Sequence, residues 1–180
     1  MNTANVLTMI RILLVPVFIL FFYLNIPNNM IYALAVFILA SITDWLDGMI
    51  ARRYEMITDF GRFMDPIADK LLVLAGVVML MSFNRIHPVI AIVLIGREFI
   101  MSGFRLVAAT KGVVMGAGIL GKIKTITQFV AVSILLVADL LPNPARLCGD
   151  IFLYISVVFS IWSCVDYIVK NRNVLNLKNI

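Results

Sequence analysis

Residues 29–82 read NMIYALAVFILASITDWLDGMIARRYEMITDFGRFMDPIADKLLVLAGVVMLMS. Two apolar runs, 29–52 and 59–82, meet across a short polar connection, and each holds aspartates toward that connection. A hydrocarbon core of about 30 Å is crossed by about 20 helical residues, so each run is long enough to span a membrane. At about 100° per residue, Asp44, Asp47, Gly48 and Ala51 fall on one face of the first helix. Gly61, Asp65 and Asp69 recur at i, i+4, i+8 and share a face of the second. The short connection makes the two helices antiparallel neighbours, which brings four carboxylates together at one membrane boundary. Gly48, Ala51 and Gly61 keep the shared surface low, for close helix approach or for a bulky ligand.

The rest of the chain fits this frame. Of the 180 residues, 62% are hydrophobic and 14% charged, with a mean hydropathy of +1.03; a soluble domain carries about a quarter charged residues. Four further segments, 8–24, 87–109, 119–140 and 148–170, are long and apolar enough to span. Breakers separate them: Pro27, Asn84 to Pro88, Gly112 to Gly121, and Pro142-Asn143-Pro144. The expected fold is an all-α membrane protein of six transmembrane helices, a single domain over 1–180, with a polar metal site at the cytoplasmic edge. No small-residue cleavage site follows Ile12–Leu24, so the first stretch reads as a retained span.

Lysine and arginine placement orients the chain. Arg52, Arg53, Arg62, Lys111, Lys122, Lys124, Lys170, Arg172 and Lys178 fall on one side, against Arg85 and Arg146 on the other. Both termini are therefore expected in the cytoplasm. The net charge of +5 reflects this collar, which attracts anionic lipid head groups; nucleic-acid binding would need a soluble basic module. Cys148 and Cys164 read as buried small hydrophobes and His87 as a loop residue. Trp162 and Tyr167 fit an aromatic belt.

Carboxylates at membrane depth are expensive, and four together repel. A divalent cation answers both problems. Oxygen-only ligands point to magnesium or manganese, and two ions could clamp a pyrophosphate. The alternative is that the aspartates cap helices or pair with Arg52, Arg53 and Arg62. Arg97, Met101 and Arg105 recur at i, i+4, i+8 in the fourth span, aligning two guanidiniums. Arg97 is read either as an ion-pair partner of Glu98 or of an aspartate, or as a phosphate ligand. Arg105 reads as a phosphate ligand. Lys122 is a third phosphate candidate or an inner-face anchor, and Lys124 an anchor.

The string Asp44-x-x-Asp47-Gly48-x-x-Ala51-Arg52, eight residues, Gly61-x-x-x-Asp65-x-x-x-Asp69 resembles the complete signature of the CDP-alcohol phosphatidyltransferases. Within that family, Asn5-x-x-Thr8-x-x-Arg11, Asp65-Pro66-x-Ala68-Asp69-Lys70 and Arg97-Glu98-Phe99 are similar to the bacterial phosphatidylglycerophosphate synthases. The resemblance implies transfer of a phosphatidyl group from CDP-diacylglycerol to an alcohol, here sn-glycerol 3-phosphate, with release of CMP, by a homodimer in the bacterial inner membrane. It implies that Asp44, Asp47, Asp65 and Asp69 hold metal, with Asp69 also the general base. Gly48, Ala51, Arg52 and Gly61 would line the CDP pocket, with Asn5 and Thr8 near the nucleotide. Other family acceptors, namely inositol phosphate, serine or phosphatidylglycerol, stay open. A divalent-cation transporter is the alternative from another class, though such sites usually lie near the midplane on broken helices.

Overall fold

The computed structural model describes residues 3–54, 59–112, 116 and 118–172. Six α-helices follow one another: α1 (Thr3–Tyr23), α2 (Asn29–Tyr54), α3 (Asp59–Ser82), α4 (Pro88–Thr110), α5 (Ile119–Leu136) and α6 (Asn143–Lys170). A 3-10 turn, Ala138–Leu140, follows α5. No strand occurs among the described residues. Among those residues, Val6–Tyr23, Ile119–Leu136 and Pro144–Lys170 are long and apolar enough to cross a membrane. Asn29–Thr43 and Lys70–Ser82 are shorter apolar stretches, and α4 is interrupted by Arg97, Glu98 and Arg105.

Several details differ from expectation, among them the start of α1 at Thr3, five residues early. α5 stops at Leu136, four residues before its expected end, because Arg85 takes the carbonyls that would continue it. Arg85 Nη1 donates to Leu135 O at 2.8 Å and Leu136 O at 2.9 Å, and Nη2 pairs with Asp139. The last helix starts at Asn143, five residues early, with Pro144 in its first turn, where a missing N–H removes no intrahelical bond. His87, read as a loop residue, caps α4: its Nδ1 accepts from Val89 N at 3.3 Å, with Pro88 opening the helix. The turns themselves match, with Asn28 and Asn84 at φ 58° and 57°, a conformation asparagine tolerates.

α5 and α6 form one extensive pair and α1 and α2 another; α1 and α5 each also lie against α3. Aromatic packing joins the halves: Phe18 against Phe37 at 5.7 Å, and Phe37 stacked on Phe129 at 5.1 Å. Small residues set the helix spacing, as expected where lipid is as apolar as the core. A Cβ at Gly76 would stand 2.8 Å from Val132 Cγ1, and one at Gly149 2.9 Å from Leu135 Cδ2. Cys148, expected to be buried, is exposed and free, while Cys164 is half-buried and free.

Candidate active site

α2 and α3 are both helical through the acidic positions, so the phases expected for Asp44 and Asp47, and for Asp65 and Asp69, hold in the backbone. The side chains of these four residues, and of Asn5, Ala51 and Arg52, lie outside the described residues. Gly48 and Gly61 occupy helical positions in α2 and α3. Among the described residues no three histidine, cysteine or acidic side chains cluster to hold a metal; the four aspartates fall outside that set. The donor chemistry fits a hard cation: all four candidate ligands are carboxylates on continuous helix, a set suited to magnesium or manganese. Thr8 and Arg11, one turn apart in α1, are each 1% exposed.

Beside this acidic stretch lies a cavity of about 470 Å³. Its walls come from the early half of α3 (Lys70, Val73, Leu74), the later half of α4 (Arg97, Glu98, Arg105) and the start of α5 (Gly121 to Gln128). Helical register sets residue 69 one turn ahead of Val73, so the cavity continues along α3 from the last of the four aspartates. Arg97, Arg105 and Lys122, chosen from sequence as phosphate ligands, all line it. With Lys70 and Lys124 they make five cationic side chains against one described carboxylate, Glu98.

The cations are held in two ways. Arg97 Nη1 pairs with Glu98 Oε1 at 2.8 Å and Nη2 donates to Ser163 Oγ of α6 at 3.0 Å. Of the readings given for Arg97, the Glu98 ion pair is therefore present, and it lies in the cavity wall. Lys124 is not an interfacial anchor: it is 3% exposed and pairs with the same Glu98 oxygen. Gly121 makes room for this cluster, since a Cβ there would already meet Arg97 Nη2 at 3.5 Å. Lys70 Nζ donates to Ser102 Oγ at 2.5 Å, tying α3 to α4. Arg105 and Lys122 form no ion pair among the described residues. Arg105 lies 5.9 Å from the Tyr167 ring centroid, and Tyr167 packs edge-on against Phe104. Tyr167 thus reaches toward α4.

Among the lining residues that sequence reasoning left without a role in the site are Lys70, Glu98 and, on α5, Lys124 and Gln128. For the two on α5 the signal was phase: Lys124, Gln128, Ala131 and Leu135 recur on one face, and all four are buried.

Apolar helices that bring acidic positions and a cation-lined cavity to one end define a membrane-embedded enzyme for an anionic substrate. The chain belongs to the CDP-alcohol phosphatidyltransferase family, whose profile matches residues 1–162. Members of this family generally depend on a divalent metal. The chain is 39% identical over 194 residues to the CDP-diacylglycerol–glycerol-3-phosphate 3-phosphatidyltransferase of Bacillus subtilis, covering 99% of each. The enzyme of that name from Rickettsia bellii is 39% identical, over 92% of this chain and 93% of the relative. A cardiolipin synthase (CMP-forming) of Oryza sativa is also 39% identical, over 97% of this chain and 59% of the relative.

Proposed function

We propose that this protein transfers the phosphatidyl group of CDP-diacylglycerol to sn-glycerol 3-phosphate, giving phosphatidylglycerophosphate and CMP. The observation that carries the acceptor is the cavity along α3 beyond Asp69, lined by Arg97, Arg105 and Lys122. An acceptor with its own phosphate needs such cations, whereas serine does not. Curated relatives from Bacillus and Rickettsia carry this activity in their names, over nearly their whole length.

Asp44, Asp47, Asp65 and Asp69 would hold a divalent ion, magnesium or manganese, with two ions the preferred count. Such metal, when bound, neutralises the pyrophosphate and the charge developing on the leaving CMP. Asp69 accepts the proton of the acceptor hydroxyl as its oxygen attacks the diacylglycerol-linked phosphorus; the bond to the CMP phosphate oxygen breaks and CMP leaves. Arg105 and Lys122 hold the acceptor phosphate. Arg97, fixed by Glu98 and Ser163, presents a guanidinium that needs no reorganisation when the acceptor arrives. Gly48, Ala51, Arg52 and Gly61 line the CDP pocket, with Asn5 and Thr8 beside the nucleotide.

Six spans, both termini in the cytoplasm and a cytoplasm-facing site in the bacterial inner membrane complete the reading, together with a homodimer. Lysine and arginine asymmetry supports the orientation.

The test is purified protein with CDP-diacylglycerol and radiolabelled glycerol 3-phosphate, with magnesium or EDTA. CMP release should require the metal and stop in Asp69→Asn while binding of the CDP-lipid persists. Chelation without effect would remove the metal reading; substantial residual turnover in Asp69→Asn would remove the base. The similarity to a cardiolipin synthase favours phosphatidylglycerol as the second acceptor to try. Release with that lipid, inositol phosphate or serine, but not with glycerol 3-phosphate, would overturn the acceptor.

A further inference from the structure

Gln128 is the one neutral amide in the cavity wall described above, and it stands apart from its neighbours. It is 1% exposed, one turn along α5 from Lys124. Neither its Nε2 nor its Oε1 has a hydrogen-bond partner among the described residues. Buried polar side-chain atoms are nearly always paired, because an unpaired one forfeits its hydration with no return. A glutamine serving only to pack could be replaced by an apolar residue of similar shape at no loss, so its unmade bonds point to a partner that arrives with the ligand.

The chemistry of that partner is narrow. The cations in the wall are suited to a phosphate, and an amide adds little to anion binding beside them. A primary amide offers a donor and an acceptor side by side, and an alcohol hydroxyl offers the complementary acceptor and donor from one oxygen. Resting on the acceptor reading above, we infer that Gln128 is a specificity-determining residue that binds the non-reacting hydroxyl of the polyol-phosphate acceptor, the hydroxyl on C2 of glycerol 3-phosphate. Phosphate recognition then falls to the arginines and lysine nearer the α4–α5 connection, and Gln128 distinguishes a polyol phosphate from a simple alkyl phosphate.

The experiment compares two acceptors, sn-glycerol 3-phosphate and 3-hydroxypropyl phosphate, which keeps the reacting hydroxyl and the phosphate but lacks the C2 hydroxyl. Wild-type kcat/KM should favour the natural acceptor by about 10- to 100-fold, the range for a hydroxyl held by one or two hydrogen bonds. In Gln128→Met, which keeps the length and loses donor and acceptor, that ratio should fall toward one. The thermal midpoint of Gln128→Met in detergent should equal or exceed that of wild type, because no bond within the protein is lost. A ratio unchanged in Gln128→Met, or equal losses on both acceptors with a lowered midpoint, overturns the inference while leaving the acceptor assignment standing. Wild-type protein that releases no CMP with glycerol 3-phosphate overturns the acceptor assignment, and the inference with it. Gln128→Leu gives a second reading of the same ratio if the methionine variant does not accumulate.

Discussion

Replacing Glu98 with glutamine should be among the most damaging single changes in the protein. Glu98 compensates Arg97 at 2.8 Å and Lys124 at the same oxygen, with side-chain exposures of 10% and 3% for the two cations. At an effective dielectric constant of about 20, one unit-charge pair at 2.8 Å attracts by about 6 kcal/mol. Desolvation offsets much of this in the intact cluster. Removing one partner does not restore the hydration of the others, and breaking a buried pair costs about 3–5 kcal/mol. For a chain of this size each kcal/mol moves the thermal midpoint by about 2–4 °C, so Glu98→Gln should lose roughly 6–20 °C. Circular dichroism of the detergent-solubilised protein during heating measures it. Adding Lys124→Met should recover part of the loss, since the most buried orphaned charge is then gone. A midpoint for Glu98→Gln within about 2 °C of wild type, or a double variant less stable than the single one, would refute the claim that Glu98 neutralises a desolvated pair.

Arg105→Ala should raise the KM for glycerol 3-phosphate by about 10- to 100-fold, the loss of one charge-assisted hydrogen bond, with the KM for CDP-diacylglycerol little changed; initial-rate kinetics with each substrate varied would show it. Tyr167→Leu should produce a smaller increase in that same KM, because the ring only orients Arg105 at 5.9 Å, and Tyr167→Phe should preserve most of the wild-type value. Gly149→Val should cost about 1–3 kcal/mol through overpacking against Leu135 and Ile134, whose atoms already lie 2.9–3.1 Å from the added Cβ; chemical unfolding in detergent would report it. Arg85→Ala should lower stability by about 2–3 kcal/mol, through loss of charge-assisted bonds to two carbonyls and Asp139, while leaving both substrate KM values near wild type.

The helices were legible because long apolar runs announce themselves, and the acidic register because carboxylates are rare in such runs. Arg97 and Arg105 were legible as a pair from their eight-residue spacing, which keeps them on one side of α4. Lys124 was misread for a physical reason: positive-inside anchors and buried ligands are both lysines near a helix end. The residue that distinguishes them, Glu98, lies 26 positions away, and no local pattern reveals that pairing. Arg85 is similar. It looked like a loop arginine, yet its partners are the carbonyls at the end of α5, 50 and 51 residues later. The early start of α6 was hidden by Pro144, which ends most helical readings but is well tolerated in a first turn.

The Arg85 contact has a mechanical consequence. It fastens the turn that begins α4 to the last carbonyls of α5, at the end of the bundle away from the cavity. Gly149 seats α6 against Leu135 at that same end. The two helices that frame the cavity are therefore pinned at this end, and nearer the cavity Glu98 of α4 holds Lys124 of α5. A widening that admits a substrate or releases a product would turn about that pin, like the jaws of a clothes-peg about its spring.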